Sequence, residues 1–270
     1  MPTHLDDLPH ALDHLATLNR RLAGNEPAVF LDYDGTLTPI VDRPEDAVIS
    51  ESMREAVRAL AERCTVCVVS GRDRAVVQEL MGLRTLVVAG SHGFDIWAPD
   101  GGTIEREEGR EFEALMDEVE TRLRSELADV DGALIEPKKV GVAVHDRLVA
   151  DADRSRIRDA VEAVLADHPG ELKVTPGKRV YEVQPRIDWD KGKAVRYLLD
   201  ALGLDRPDVV PLYLGDDVTD EHAFEALGGD GIGIFVGDAE DPEVAGRTTA
   251  ADYLLRSPEE VERFLDGLAR

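Results

Sequence analysis

The chain has 270 residues, 43% of them hydrophobic and 32% charged, with a formal net charge of −25. That length buries a good core, as one large domain or two modest ones. The acidic excess argues against nucleic acid or an anionic membrane surface as partner, and an anionic small molecule would need a local cationic pocket or a metal to overcome the field.

The first residues, "MPTHLDDLPHALDHLATLNRRLAG", are polar and periodic and unlike a signal peptide. No apolar run is long enough to span a bilayer. The chain therefore reads as soluble and cytoplasmic, with no membrane partner. Its acidic surface is open to two readings, an ordinary solvated face or adaptation to high salt.

Leu5, Leu8, Leu12, Leu15, Leu18 and Leu22 fall at helical spacing, which predicts an amphipathic helix over residues 5–22. "AVFLDYD" follows as a strand. "SESMREAVRALAER" opens with a serine cap and continues as a helix. "TVCVVS" is the next strand, and its Cys64 and Cys67 read as buried thiols, since an odd offset sends them to opposite faces. "GRDRAVVQELMG" is a helix ended by glycine, and "TLVVAGSHG" another strand. Continuously apolar strands alternating with helices predict a parallel sheet covered on both faces.

The pattern changes after residue 96. "WAPDGGTIERE" reads as a hairpin and "EFEALMDEVETRLRSEL" as a long helix. "GALIEPKKVGVAVHDR" and "LKVTPGKRVYEVQP" read as strand pairs with alternating side chains, flanking the helix "SRIRDAVEAVLADH". The parallel style returns with "DKGKAVRYLLDALG", "VVPLYLGDD", "DEHAFEALGG" and "GIGIFVG". The expected fold class is α/β: a Rossmann-like doubly wound parallel sheet with an inserted α+β cap. Residues 1–95 and 186–270 form the core on this reading, and 96–185 the cap. "GGDGIGIFVG" precedes its strand instead of following one, so it fails the dinucleotide fingerprint.

Two carboxylates, Asp32 and Asp34, close the strand "AVFLDYDGT". Period 2 places both on one side, with Cα atoms roughly 6–7 Å apart. In open parallel sheets, ligands bind outside the carboxyl ends of the strands. A second apolar strand ends in Gly215 and then Asp216, Asp217, Asp220 and Glu221. Carboxylates so gathered raise one another's pKa, and a hard divalent cation resolves the conflict, Mg²⁺ suiting few carboxylates plus phosphate oxygens. Thr219 or Asp220 can alternatively cap the helix that follows. Ser70 and Gly71 end another strand near a helix N-terminus, where backbone N–H groups suit an anion. Lys191 opens a helix, a position the dipole does not favour for lysine but a phosphoryl group would explain.

"DYDGT", "SGR", "KGKA" and "GDDVTDE", in that order on an alternating α/β chain, resemble the four motifs of the haloacid dehalogenase superfamily of phosphotransferases. "LDYDGTLTPI", "GDDVTDE" and "EPKKVGVAVHDR" resemble more narrowly the trehalose-6-phosphate phosphatase family, in which the insert is an α/β cap over the sugar. The resemblance implies that Asp32 is the nucleophile, giving an aspartyl-phosphate. It implies that Asp34 protonates the departing sugar oxygen and then takes a proton from water. Mg²⁺ would be held by Asp32, the backbone carbonyl of Asp34 and Asp216, with Asp217 in support. Thr36, Ser70 and Lys191 would hold the transferring phosphoryl group.

Within the insert, Glu136 and Lys138, His145 and Arg147, and Lys178 and Glu182 stand at positions that match the family's cap pattern, and paired acids and amines suit sugar hydroxyls. A solvated set of cross-strand ion pairs is the plainer reading of the same residues. Asp146 stands where the family usually has tyrosine, on the opposite face from His145 and Arg147. His92, flanked by glycine, is expected to pack near a hinge. The implied activity is Mg²⁺-dependent hydrolysis of trehalose 6-phosphate to trehalose and phosphate, with functional pairing to a trehalose-6-phosphate synthase. The alternatives are a phosphatase for another sugar or glucoside phosphate, and a non-catalytic sugar-phosphate sensor.

Overall fold

A computed structural model describes residues 2–99, 102–105, 112–138, 140–177, 179–242 and 244–269. The chain divides into two compact units, Met1–Ile104 with Asp190–Arg270, and Glu105–Trp189.

In chain order the first unit begins with β1 (Thr3–His4), α1 (Leu15–Leu22), β2 (Glu26–Leu31), α2 (Glu51–Ala61), β3 (Thr65–Val69), α3 (Arg74–Met81), β4 (Val87–Gly90), β5 (Asp95–Ala98) and β6 (Gly102–Glu105). The second unit holds α4 (Glu113–Glu126), β7 (Leu134–Lys138), β8 (Gly141–His145), α5 (Arg154–Asp167), β9 (Leu172–Gly177) and β10 (Val180–Pro185). The first unit resumes with α6 (Lys191–Ala201), β11 (Val209–Gly215), α7 (Val218–Leu227), β12 (Ile232–Val236), β13 (Thr248–Thr249), β14 (Tyr253–Leu255) and α8 (Pro258–Leu268).

Eight strands form the first unit's sheet in the order β14-β12-β11-β2-β3-β4-β5-β6. The pairs from β14 to β4 are parallel, and β5 runs antiparallel to β4. Strands β11, β2 and β3 sit in the middle and carry residues such as Val29, Leu31, Val68, Leu212 and Leu214 that are fully buried. Apolar runs unbroken by polar alternation form such two-sided strands, because helices cover both faces. The hairpin of β5 and β6 extends this same sheet, so its residues continue the α/β body before the second unit begins.

The helix predicted over residues 5–22 is shorter, since α1 starts only at Leu15. Residues 9–11 instead run beside β14: Leu254 N donates to Pro9 O at 3.0 Å and Ala11 N to Leu254 O at 2.9 Å. Proline at position 9 cannot donate within a helix, and the sheet edge offers the neighbouring groups partners. Leu5 is nonetheless buried, as the apolar spacing requires. Cys67 is buried and Cys64 half-buried. Burial pushes both thiols up, Cys64 to about 11, which leaves them poor nucleophiles.

The second unit is a four-stranded antiparallel sheet in the order β7-β8-β10-β9 with α4 and α5 on one face. Ile135, Val142, Val144 and Val183 point toward the helices and are buried, so strict period-2 alternation leaves the other face to polar side chains. Among the described residues no helix is long and apolar enough to cross a membrane.

Candidate active site

Asp32, Ser70 and Asp216 follow the carboxyl ends of β2, β3 and β11. Asp32 follows β2, and its N–H continues the ladder to Leu214 O at 2.9 Å. Asp216 follows β11. One carboxylate oxygen from each of Asp32, Asp216 and Asp220 lies within 4.8 Å of the other two, and all three residues are buried.

Lys191 reaches this cluster from the start of α6. Its Nζ lies 3.0 Å from Asp32 Oδ1 and 2.6 Å from Asp220 Oδ1. Asp190 caps the same helix by accepting from Lys193 N at 2.9 Å. Burial works to lower the Lys191 ammonium, yet Asp220 and Asp32 together hold it well above the ordinary lysine range. Asp32 is pushed well above the usual carboxylate range by burial. Lys191 pulls it back, and Asp220, Asp216 and Asp34 add to the push.

Asp220 is the member that sequence reading left among the helix-capping residues, and it does cap. Its Oδ2 accepts from Asp216 N at 3.1 Å and Asp217 N at 3.0 Å, while Oδ1 takes Lys191 and the Tyr213 hydroxyl, the latter at 2.6 Å. Burial raises Asp220, but these donors outweigh it and hold the carboxyl below its ordinary value. Asp217 and Asp220 form a capping box at the start of α7, and Asp217 Oδ1 accepts from Val218 N at 2.8 Å. The helix N-terminal spacing marks this box, but that Asp220 also anchors Lys191 needs the third dimension.

Asp32 and Asp216 are the other two carboxylates of this buried cluster. Gly35 makes their approach feasible. Its φ is +76°, and a Cβ there would lie 2.1 Å from Asp216 Oδ2. A hard divalent cation held by oxygen ligands fits this donor set.

Asp34 lies beyond the strand, and its charge still acts on Asp32. The strand ends at Leu31, and Asp34 lies in a turn where Leu37 N and Thr38 N donate to Tyr33 O at 2.9 and 3.1 Å. Once the chain turns, period 2 no longer applies. The Asp34 carboxylate instead takes a fork from Arg72, Nε to Oδ2 at 2.7 Å and Nη2 to Oδ1 at 2.6 Å. Arg72 belongs to the quoted "SGR" stretch, but nothing in that stretch ties it to a residue 38 positions earlier.

Thr36 and Ser70 are buried. The Thr36 Oγ1 is shielded from solvent and has no hydrogen-bond partner, as a donor awaiting a ligand oxygen would be. Ser70 Oγ accepts from Arg72 N at 3.1 Å.

In the second unit, Glu136, Lys138, His145 and Glu182 share the polar sheet face. Lys138 Nζ donates to Glu182 Oε1 at 2.6 Å, and His145 Nε2 lies 2.8 Å from Glu136 Oε2. Gln184, on the same face, donates from Nε2 to Glu182 Oε2 at 3.1 Å. Both the polar-ligand and the ion-pair readings of these residues therefore meet in one row. Arg147 is half-buried in the turn after β8, and Lys178 lies outside the described residues. Asp146 is buried, with Oδ1 unpartnered.

Residues 30–258 match the family model described as trehalose-phosphatase. The chain is 41% identical over 276 residues to a trehalose 6-phosphate phosphatase of Zea mays, covering 97% of this chain and 74% of that protein. It is equally 41% identical over 268 residues to a trehalose-phosphate phosphatase of Mycobacterium marinum, covering 98% and 67%. The fold matches the C-terminal domain of a Candida albicans trehalose-6-phosphate phosphatase with a TM-score of 0.81 at 23% identity, over 97% of this chain and 98% of that one.

Proposed function

This chain belongs to the trehalose-phosphatase family, a phosphoric monoester hydrolase family of the haloacid dehalogenase superfamily, and on that premise we propose that it hydrolyses trehalose 6-phosphate with Mg²⁺ through an aspartyl-phosphate. The observation that carries the reading is the buried meeting of Asp32, Asp216 and Lys191 beyond the ends of β2 and β11.

Asp32 is assigned as nucleophile. It is buried, holds one oxygen against the Lys191 ammonium, and sits where a tetrahedral phosphorus can be approached from the strand end. Attack forms the Asp32 Oδ–P bond and breaks the P–O bond to the sugar, whose oxygen takes a proton from Asp34. Water then attacks phosphorus, Asp34 takes its proton, and the Asp32 carboxylate is regenerated. Lys191, the Thr36 hydroxyl and the Ser70 hydroxyl hold the phosphoryl oxygens, so that positioning and charge neutralisation do most of the work. Asp32, Asp216, Asp217 and the Asp34 carbonyl would hold Mg²⁺, which supplies charge neutralisation between carboxylates and phosphate.

Recognition of the sugar is assigned to Glu136, Lys138, His145, Arg147, Lys178 and Glu182. Glu136, Lys138, His145 and Glu182 set acceptors and donors side by side on the polar sheet face, which suits the hydroxyls of a disaccharide, each both donor and acceptor. We place the enzyme in the cytoplasm, beside a synthase able to supply the phosphorylated disaccharide.

Phosphate release from trehalose 6-phosphate, with Mg²⁺ and again after chelation, tests the reading. Loss of release on chelation and recovery on readdition is expected. Comparable turnover of glucose 6-phosphate or another disaccharide phosphate overturns the substrate assignment.

A further inference from the structure

We propose that Arg72 is the positioning residue of Asp34: it fixes the direction of that carboxylate so that it can exchange a proton with the leaving oxygen. The inference rests on the general acid–base role given above to Asp34 and adds a residue to it.

The Asp34 side chain is 36% exposed, whereas that of Arg72 is 9% exposed. A carboxylate that open has several rotamers available, and a proton donor must hold one of them at the moment of reaction. Nothing in the turn of residues 33–38 selects it, because the backbone bonds there join Tyr33 to Leu37 and Thr38. The guanidinium does. Its planar fork meets both oxygens, at 2.7 and 2.6 Å, and a two-point contact fixes the plane of the carboxylate as well as its position.

A clamp works only if it is itself held, and Arg72 is. Its remaining terminal nitrogen, Nη1, donates to Pro44 O at 2.7 Å. The guanidinium carbon lies 5.5 Å from the centre of the Tyr33 ring, within cation–π range. Its backbone is tied at both ends: Arg72 N donates to Ser70 Oγ, and Arg72 O accepts from Ser91 N at 2.7 Å.

Ser91 and His92 reach that position with φ of +50° and +55°, the left-handed region that side chains other than glycine enter at a cost. His92 N donates to Ser70 O at 2.9 Å, and Ser91 Oγ donates to Asp73 Oδ1 at 3.0 Å. Strain spent on gripping the Ser70–Arg72 turn from outside is what a positioning chain requires. This gives His92 a backbone task in the core, beyond the packing expected of it.

The leaving group separates this role from plain structural support. A sugar alkoxide needs a proton to depart, whereas p-nitrophenolate departs without one. In Arg72→Lys, kcat/KM is the readout, because it reports the steps up to departure of the leaving group and leaves out the water-activating step that both substrates share. On trehalose 6-phosphate it is expected to fall by roughly 10²-fold, in the range that general acid catalysis supplies, while kcat/KM on p-nitrophenyl phosphate falls far less. If the lysine variant does not fold, as judged by its thermal transition, Arg72→Gln carries the same comparison. In the double variant Asp34→Asn/Arg72→Lys, the sugar phosphate should turn over no more slowly than with Asp34→Asn alone. Equal losses on both substrates, no loss on either, or multiplied losses in the double variant would overturn the proposal. Wild-type protein that releases phosphate from neither substrate removes the acid–base reading itself, and this one with it.

Discussion

Asp220 Oδ1 lies 2.6 Å from Lys191 Nζ, and the Tyr213 hydroxyl donates to the same oxygen at 2.6 Å. The lysine that faces Asp32 is therefore held from behind by a carboxylate that makes no claim on the phosphoryl site. Both partners are buried, so removing Asp220 leaves the Lys191 charge with Asp32 alone. Asp220→Asn is expected to destabilise the protein by about 3 kcal/mol, the low end for breaking one side of a buried pair. Urea unfolding measures it. A change within ordinary surface-mutation scatter would mean that Lys191 is held by other groups.

Asp32 carries the opposite sign. Burial first, then the neighbouring carboxylates, raise its folded pKa above the unfolded value, against the pull of Lys191. The metal-free fold therefore binds that proton more tightly than the unfolded chain does. Stability from this group is full below the unfolded carboxylate range and is lost as pH rises through the raised folded value. Asp32→Asn removes the charge while Lys191 keeps Asp220. In chelator at neutral pH, the variant should be more stable than wild type by on the order of 1 kcal/mol, and it should not turn over. A lower melting temperature for the asparagine variant would mean that the Lys191 pairing outweighs burial and the neighbouring carboxylates at Asp32.

These two residues also show what the sequence makes legible. Asp32 and Asp216 end apolar strands, and β2 and β11 are neighbours in the sheet, so their convergence follows from strand alternation and the rule that ligands bind beyond carboxyl ends. The polar face of the second unit follows from period 2 in the same way. Asp220 is readable only as a cap, because its pairing with Lys191 joins α7 to α6 across 29 residues of chain. Arg72 and Asp34 meet because β2 pairs with β3 and because the chain turns after Leu31. After that turn strand alternation no longer governs Asp34, so its pairing with Arg72 could not be read from period 2. The helix over residues 5–22 was overextended because leucine spacing reports burial, which Leu5 satisfies, and says nothing of where the Pro9 backbone finds its partners.

Gly35 sits at φ +76° with room for no side chain, since a Cβ would fall 2.1 Å from Asp216 Oδ2. Gly35→Ala has to twist the turn and push Asp216 away from Asp32. The strain costs about 1–3 kcal/mol, and the Mg²⁺ concentration needed for half-maximal activity should rise by at least ~10-fold as one ligand moves off position. Activity titrated against Mg²⁺ measures this. An unchanged requirement would show that Asp216 does not hold the cation.

A net charge of −25 repels itself most in dilute buffer. Salt screens exposed pairs such as Arg156–Asp129 as well, but each of those is worth under about 1 kcal/mol, and the uncompensated excess is the larger quantity. The melting temperature should therefore climb on moving from low salt to about 1 M, where the screening length shrinks to a few ångströms. A fall would mean that attractive pairs outweigh the net repulsion.

The Lys138–Glu182 contact, 2.6 Å between side chains that are 12% and 13% exposed, ties a donor and an acceptor together on the polar face of the second unit. If these side chains read sugar hydroxyls, Lys138→Met removes a charged donor, while the Gln184 donor to Glu182 stays. A hydrogen bond to a charged group is worth roughly 1.5–3 kcal/mol, so kcat/KM for trehalose 6-phosphate should fall by ~10- to 100-fold, carried mainly by KM. An aryl phosphate carries no sugar, and its kcat/KM should stay within about threefold of wild type, a difference of well under 1 kcal/mol. The two substrates thus divide sugar recognition from phosphoryl chemistry. Parallel losses on both would make Lys138 a structural ion-pair partner, the plainer reading of the same strand face.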